Sequence, residues 1–92
     1  MKVGLHHTAE KYIMRLNTAD RNRIENAING LEKEPPEGDI RPYEGNKGIL
    51  RLRVGSFRII FRFEENRTIL VSHIEPRGQA YTKKTKTKRS SK

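Results

Sequence analysis

The sequence contains no cysteine, no long apolar run and few acidic residues, and each shortage excludes classes of protein. Without cysteine there is no disulfide scaffold and no thiolate metal site. No segment approaches the roughly 18 consecutive apolar residues of a membrane span, and the polar N-terminus is unlike a secretory signal. We therefore expect a cytoplasmic protein that does not bind a membrane, and 92 residues allow one hydrophobic core.

Basic residues dominate the charge of the chain. Twenty lysines and arginines against eleven aspartates and glutamates give a formal net charge of +9, which favours polyanionic partners. Residues 82–92 hold six of the bases, no acid and no apolar side chain. We therefore expect one domain over 1–81 and a disordered basic tail over 82–92. The tail either tethers a polyanion or only improves solubility, and the sequence does not choose.

The first half of the chain predicts a strand and two helices. Residues 2–6 have the composition of a short strand. Two segments that Thr8 and Thr18 can cap then carry apolar side chains at i, i+3, i+4 and i+7, the pattern of one buried helix face. Pro35-Pro36 closes the second segment. A short break between the two segments predicts an antiparallel helical hairpin.

The second half changes from a period of 3.6 to a period of 2. Residues 37–48 are rich in glycine and proline and are interpreted as a loop. Three alternating runs follow, joined at Gly55-Ser56 and at a polar turn near Glu65-Asn66. The predicted fold is α+β: an N-terminal strand, a two-helix hairpin, then a three-stranded antiparallel meander packed on the helices.

Hairpin geometry brings basic side chains together. A two-residue loop at Gly55-Ser56 sets Arg53 opposite Arg58, and a second turn symmetric about Glu65-Asn66 sets His73 opposite Arg58. Opposed like charges destabilise a sheet, and residues 45–63 contain no acid to offset them. We interpret the row as an anion site, since a local rule broken in this way often marks function. A solvated basic face is the alternative.

Apolar and C-terminal residues extend this basic face. The same register places Ile60, Ile69 and Val71 on it, so that the C-terminal segment or a partner is expected to cover part of it. Arg77 lies in a Pro/Gly turn after the last strand, and Tyr81 follows four residues later. A guanidinium that grips phosphate and a ring that stacks on a base suit RNA. A packing role for Tyr81 remains equally open.

The sequence resembles the RelE/ParE toxins of bacterial toxin–antitoxin modules, and the resemblance extends over nearly all of residues 1–82. It is carried by Gly-Ile-Leu-Arg-Leu-Arg-Val-Gly-Ser-Phe-Arg-Ile-Ile-Phe at 48–61 and by His-Ile-Glu-Pro-Arg-Gly-Gln-Ala-Tyr at 73–81. The Arg-x-Arg-Val-Gly-x-Phe-Arg segment is fairly specific, whereas the helices are not. RelE-like members cut messenger RNA in the ribosomal A site through attack by the RNA 2′-hydroxyl.

The resemblance implies a set of catalytic residues and no metal or cofactor. It matches the family's basic pair to Arg51 and Arg53 and its third-strand arginine to Arg58, and it implies that Arg53 and Arg58 stabilise charge on the phosphoryl oxygens. It places Arg77 near the leaving 5′ oxygen, and it implies that Tyr81 stacks on the base or orients it. RelE itself has lysines at the first two positions. Arginine stays protonated and is a poor general base, so that either proton transfer is less important here or His73 or Glu75 takes part in it. His73 could equally fill the sheet.

The resemblance also implies partners and alternatives. The expected partners are a cognate antitoxin and a ribosome with messenger RNA in its A site. The leading hypothesis is a metal-independent endoribonuclease that inhibits translation. One alternative is a ParE-like inhibitor of DNA gyrase without nuclease activity, a branch that generally lacks the full basic set and the terminal tyrosine. Another is a non-catalytic member that binds RNA.

Overall fold

Apolar stripes with helical and then with strand spacing produce two helices and a five-stranded sheet. The computed structural model describes residues 1–43 and 46–76, so that Arg77, Tyr81 and the predicted tail lie outside the described residues. The elements are β1 (Lys2–Leu5), α1 (His7–Met14), α2 (Thr18–Leu31), β2 (Asp39–Tyr43), β3 (Asn46–Val54), β4 (Phe57–Glu64) and β5 (Thr68–Pro76). Within the described part, neither helix is long and apolar enough to cross a membrane.

Both helices form where periodicity predicts, but each begins earlier than its expected cap would allow, α1 at His7 and α2 at Thr18. The His6 side chain accepts the Thr8 amide at 3.1 Å, and the Asn17 side chain accepts the Asp20 amide at 2.8 Å. Thr8 and Thr18 are therefore first-turn residues rather than N-caps. The acceptor for an otherwise unpaired amide is His6, two residues before Thr8, in α1, and Asn17, directly before Thr18, in α2.

The sheet has the order β1-β5-β4-β3-β2 and combines parallel with antiparallel pairing. The N-terminal strand lies parallel to β5, which turns the predicted meander into a mixed sheet. The interpretation of residues 37–48 as a loop was wrong, because Asp39–Tyr43 pairs antiparallel with β3 as the opposite edge strand. Pro42 fits there since an edge strand has one side whose amides need no partner.

The β3–β4 hairpin has the register that the Gly55-Ser56 loop predicts. Arg53 lies opposite Arg58, and Leu52 lies opposite Ile59. Gly55 has φ of 55°, the positive value that the first central residue of a type II′ turn requires. The opposed arginine pair is thus a confirmed feature of the fold.

The register predicted for β4 and β5 was wrong by one residue next to the turn and by two residues at Arg58. The turn is three residues long, and Asn66 and Arg67 both adopt positive φ, so that Glu64 pairs with Thr68. A β-bulge between Ile60 and Phe61 adds a further shift. His73 therefore lies opposite Ile60 rather than Arg58.

The longer turn also changes which apolar side chains lie on the arginine-bearing face. Ile69 and Val71 pack in the core between the sheet and the helices, contrary to the sequence prediction. Ile60 does lie between the arginine positions, but it is 1 % exposed. The core comprises Ala9, Ile13, Ile24, Ile28, Leu31, Leu52, Ile59, Phe61, Ile69, Val71 and Ile74. The helices thus cover one face of the sheet and leave the arginines on the other.

Candidate functional site

The arginines of the β3–β4 hairpin lie on the sheet face away from the core. Strand alternation puts Leu52 and Ile59 into the core, so that their neighbours Arg51, Arg53 and Arg58 point to the opposite face. The three differ in access to solvent: the side chains of Arg51, Arg58 and Arg53 are 12 %, 25 % and 45 % exposed. The site therefore offers one open guanidinium beside two more enclosed ones.

Asp39 supplies a negative charge that the sequence argument lacked. It lies opposite Arg53 in the β2–β3 register, and its carboxylate is 4.0 Å from Arg53 Nε and 3.7 Å from Arg51 Nη1. Arg51 Nη1 also donates to the Asp39 carbonyl at 3.1 Å. Arg51 is thereby fixed to the backbone of the edge strand, whereas the contact with Arg53 is long and weak.

Glu75 balances the other member of the arginine pair. It lies directly opposite Arg58 in the β4–β5 register, and its Oε1 is 2.8 Å from Arg58 Nη2. Its Oε2 accepts the Tyr43 hydroxyl at 2.8 Å and faces His73 Nε2 at 3.0 Å. The Arg58 guanidinium also lies over the Tyr43 ring, with Cζ 5.9 Å from the ring centre. One carboxylate therefore joins side chains from three strands.

The electrostatics keep this carboxylate ionised. Burial by itself would raise the pKa of Glu75, but hydrogen bonds from Tyr43 and His73 and the positive charge of Arg58 outweigh it and lower the pKa. Arg58 Nε is buried and has no hydrogen-bond partner among the described residues. The ion pair thus satisfies the charge of Arg58 but leaves one of its donors unused.

His73 is held at both ring nitrogens. Nε2 lies 3.0 Å from the Glu75 carboxylate, which can only accept a hydrogen bond when ionised. Nδ1 lies 3.3 Å from Ser72 Oγ, and that hydroxyl donates its own proton to the Ile60 carbonyl at 3.2 Å. The carboxylate of Glu75 and the hydroxyl of Ser72 thus fix the orientation of the imidazole at the edge of the cluster.

The structure brings four of the six predicted site residues into one cluster. These are Arg51, Arg53, Arg58 and His73, while Arg77 and Tyr81 lie outside the described residues. Sequence reasoning missed the contributions of Asp39 and Tyr43 because it treated their segment as a loop. Glu75 was considered for proton transfer but not as the partner of Arg58. Its spacing of two residues from His73 on a strand was the available signal, since such residues share a face.

Comparison with known proteins identifies the family. The model of the family described as ParE toxin of type II toxin–antitoxin system matches residues 5–81. The toxin–antitoxin complex of archaeal RelE and RelB from Pyrococcus horikoshii OT3 is similar in structure, with a TM-score of 0.71 and 27% identity, over 85% of this chain and 96% of that chain. No curated protein sequence matches the chain.

Two more distant structures share the fold. The toxin–antitoxin complex RelBE2 from Mycobacterium tuberculosis has a TM-score of 0.68 at 18% identity, over 83% of this chain and 96% of that chain. The isolated E. coli RelE toxin has a TM-score of 0.69 at 10% identity, over 85% of each chain. The expected α+β fold is thus confirmed, and the chain belongs to the RelE/ParE family as a toxin of a type II toxin–antitoxin system.

Proposed function

We propose that this toxin is a ribosome-dependent endoribonuclease that cuts messenger RNA in the A site, with the RNA 2′-hydroxyl attacking the adjacent phosphate. The observation that carries the proposal is the opposed pair of Arg53 and Arg58 on the open face of the sheet. Fixed cationic donors aimed at phosphoryl oxygens stabilise the charge that builds there, which is usually the largest catalytic contribution. The reaction needs no metal or cofactor, because the nucleophile belongs to the RNA.

His73 is the group that transfers protons in this proposal. Arg51 and Arg53 stay protonated and cannot act as a base. An imidazole can both accept and donate a proton, and His73 is 39 % exposed with Nε2 held by Glu75. Glu75 acts as a positioning residue that orients the imidazole, the role that a carboxylate has in a catalytic triad. Arg77 and Tyr81 keep the roles that the family resemblance gives them.

The two arginines have different tasks because their acidic partners differ. Asp39 is 4.0 Å from Arg53, so that a phosphate can take its place at little cost. Glu75 is 2.8 Å from the less exposed Arg58, and a phosphate must either displace it or use the donors that it leaves free. Arg53 therefore makes the first phosphate contact, and Arg58 contributes once the RNA is seated.

A cognate antitoxin is the proposed protein partner, as RelE is held by RelB in the Pyrococcus horikoshii complex. A second candidate function is inhibition of DNA gyrase, and the observation in its favour is that the matching family model describes ParE toxins. The full set of Arg51, Arg53, Arg58, Arg77 and Tyr81 favours the nuclease. A non-catalytic RNA-binding role is the third reading, and the same assay separates it from the other two.

The test is cleavage of messenger RNA on programmed ribosomes, with EDTA present and with ribosomes omitted as controls. Arg53→Gln and His73→Gln should each reduce the cleavage rate at least 100-fold. Arg62→Gln is the matched control, because Arg62 is 50 % exposed, close to the 45 % of Arg53, and pairs with Glu64 at the far end of β4. Intact RNA together with blocked DNA supercoiling by gyrase would establish the ParE reading instead. Ribosome binding without cleavage would leave an RNA-binding module.

A further inference from the structure

Tyr43 reaches from one edge strand of the sheet to the strand beyond the arginine hairpin. It is the last residue of β2, and its hydroxyl donates to Glu75 Oε2 on β5 at 2.8 Å. Strands β3 and β4 lie between these two strands in the sheet. The register of β2 shifts between Pro42 and Tyr43, and irregularities of this kind redirect side chains. The half-buried Tyr43 side chain thus extends into the arginine cluster.

The two carboxylate oxygens of Glu75 have different partners. Oε2 accepts the Tyr43 hydroxyl and faces His73 Nε2 at 3.0 Å, whereas Oε1 lies 2.8 Å from Arg58 Nη2. Glu75 Oε1 and Arg58 Nε are both buried, and neither makes a hydrogen bond to the residues that the structure describes. The contact between Glu75 and Arg58 is therefore a one-point ion pair, not the two parallel hydrogen bonds of a bidentate pair.

The Tyr43 hydroxyl helps to turn the carboxylate away from a bidentate pair. Arg58 and Glu75 lie directly opposite each other, and a guanidinium with a free carboxylate favours two parallel hydrogen bonds. Such a pair needs both carboxylate oxygens, and the contacts with Tyr43 and His73 occupy Oε2. The Tyr43 ring makes a separate contact, since the Arg58 guanidinium lies 5.9 Å from its centre. Loss of the hydroxyl alone would let Oε2 turn toward Arg58 and leave the ring in place.

From these contacts we infer that Tyr43 is a positioning residue of the nuclease, whose hydroxyl holds Glu75 in a one-point pair from which a phosphate can release Arg58. The inference rests on the proposed function and adds a residue to its machinery. When a phosphate replaces Oε1 at Arg58, Oε2 keeps the Tyr43 and His73 contacts. An uncompensated charge is the main cost of breaking a buried pair, and these contacts reduce it. Tyr43 thereby makes Arg58 available to the messenger.

The experiment measures binding of the full-length protein to programmed ribosomes. Their messenger carries a 2′-deoxy nucleotide at the position that the wild type cuts, so that the complex forms without cleavage. Tyr43→Phe removes the hydroxyl and keeps the ring beside Arg58. It should raise the dissociation constant about tenfold, because a phosphate must then displace a bidentate Glu75. Tyr12→Phe is the matched control, since Tyr12 is also half-buried but packs against Phe57, and it should change the dissociation constant about twofold at most.

A second background separates positioning from a general effect on the fold. Glu75→Gln has no charge and cannot form a bidentate ion pair with Arg58. Adding Tyr43→Phe to Glu75→Gln should therefore change the dissociation constant about twofold at most. Damage to the fold would weaken binding in both backgrounds. Urea unfolding followed by circular dichroism establishes that each variant is folded under the binding conditions.

Three results would overturn the inference and leave the proposed function intact. One is unchanged binding by Tyr43→Phe beside a wild type that binds and cleaves. Another is an equal loss on adding Tyr43→Phe to Glu75→Gln, since the hydroxyl would then not act through the carboxylate. The third is an equal loss in Tyr12→Phe. A wild type that neither binds programmed ribosomes nor cleaves messenger RNA would remove the proposed function and the inference together.

Discussion

The ion pair between Arg58 and Glu75 should make a measurable contribution to the stability of the sheet. The charged atoms are 2.8 Å apart, and the side chains are 25 % and 24 % exposed. This exposure is lower than that of surface pairs and higher than that of fully buried pairs. Surface pairs contribute about 0.2–1 kcal/mol, and breaking a buried pair costs about 3–5 kcal/mol. We expect a coupling free energy of about 1.5 kcal/mol between the two residues.

A double-mutant cycle with Arg58→Gln, Glu75→Gln and the double variant measures this coupling. Urea unfolding followed by far-ultraviolet circular dichroism gives the free energies, because the chain has no tryptophan. Arg62→Gln and Glu64→Gln form the matched control cycle: this pair lies at 2.7 Å on the same strand but is 50 % and 39 % exposed. Its coupling should be about 0.5 kcal/mol. Equal couplings in the two cycles would refute the argument from burial.

Two further predictions concern the stability of the fold at low pH and the turn before β2. The lowered pKa of Glu75 means that its ionised form stabilises the fold fully above the ordinary value of 4.5, and that this stabilisation is lost as pH falls through the lowered folded-state pKa. The difference in unfolding free energy between wild type and Glu75→Gln should therefore shrink below about pH 4.5, and a constant difference from pH 7 to 3 would contradict the assignment. Gly38→Ala should cost about 3 kcal/mol in urea unfolding, because Gly38 has φ of 133° and an added Cβ would overlap the Leu52 Cδ1 methyl. Gly48→Ala, with φ of 81° and nothing near the added Cβ, isolates the backbone strain at about 1 kcal/mol.

Helical spacing and turn residues predicted correctly the parts of this fold that depend on residues close together in the chain. Two apolar stripes with helical spacing bury Ile13, Ile24 and Ile28 as expected. A glycine at the first position of a two-residue loop fixed one hairpin register, because the geometry of such a loop allows few alternatives. The opposed pair of Arg53 and Arg58 followed from that loop alone.

The sequence predictions were wrong where pairing between residues far apart in the chain decides the structure. A polar turn such as Glu64–Thr68 can be two or three residues long, and the positive φ of Asn66 and Arg67 selects the longer form. The longer turn shifts the partner of His73 by one residue, and a bulge that has no sequence signature in this strand shifts it by one more, from Arg58 to Ile60. Edge strand β2 contains a proline and alternates poorly, and pairing with β3 is what orders it.

The opposed arginines show how a violated local rule can be balanced by distant residues. Residues 45–63 hold no acid, and from the sequence alone this indicates an anion site. In the fold, Asp39 comes from the strand on one side of the hairpin and Glu75 from the strand on the other, so that each arginine has a carboxylate across the sheet. The repulsion between Arg53 and Arg58 is thereby offset without a ligand, and the case for phosphate binding no longer follows from repulsion. The case for phosphate binding rests instead on how accessible each guanidinium group is. Arg53 is nearly half exposed and held only at 4.0 Å, whereas Arg58 is enclosed and held at 2.8 Å. Substituting Asp39 should therefore strengthen RNA binding more than it weakens the fold. Substituting Glu75 should weaken the fold more than it strengthens RNA binding.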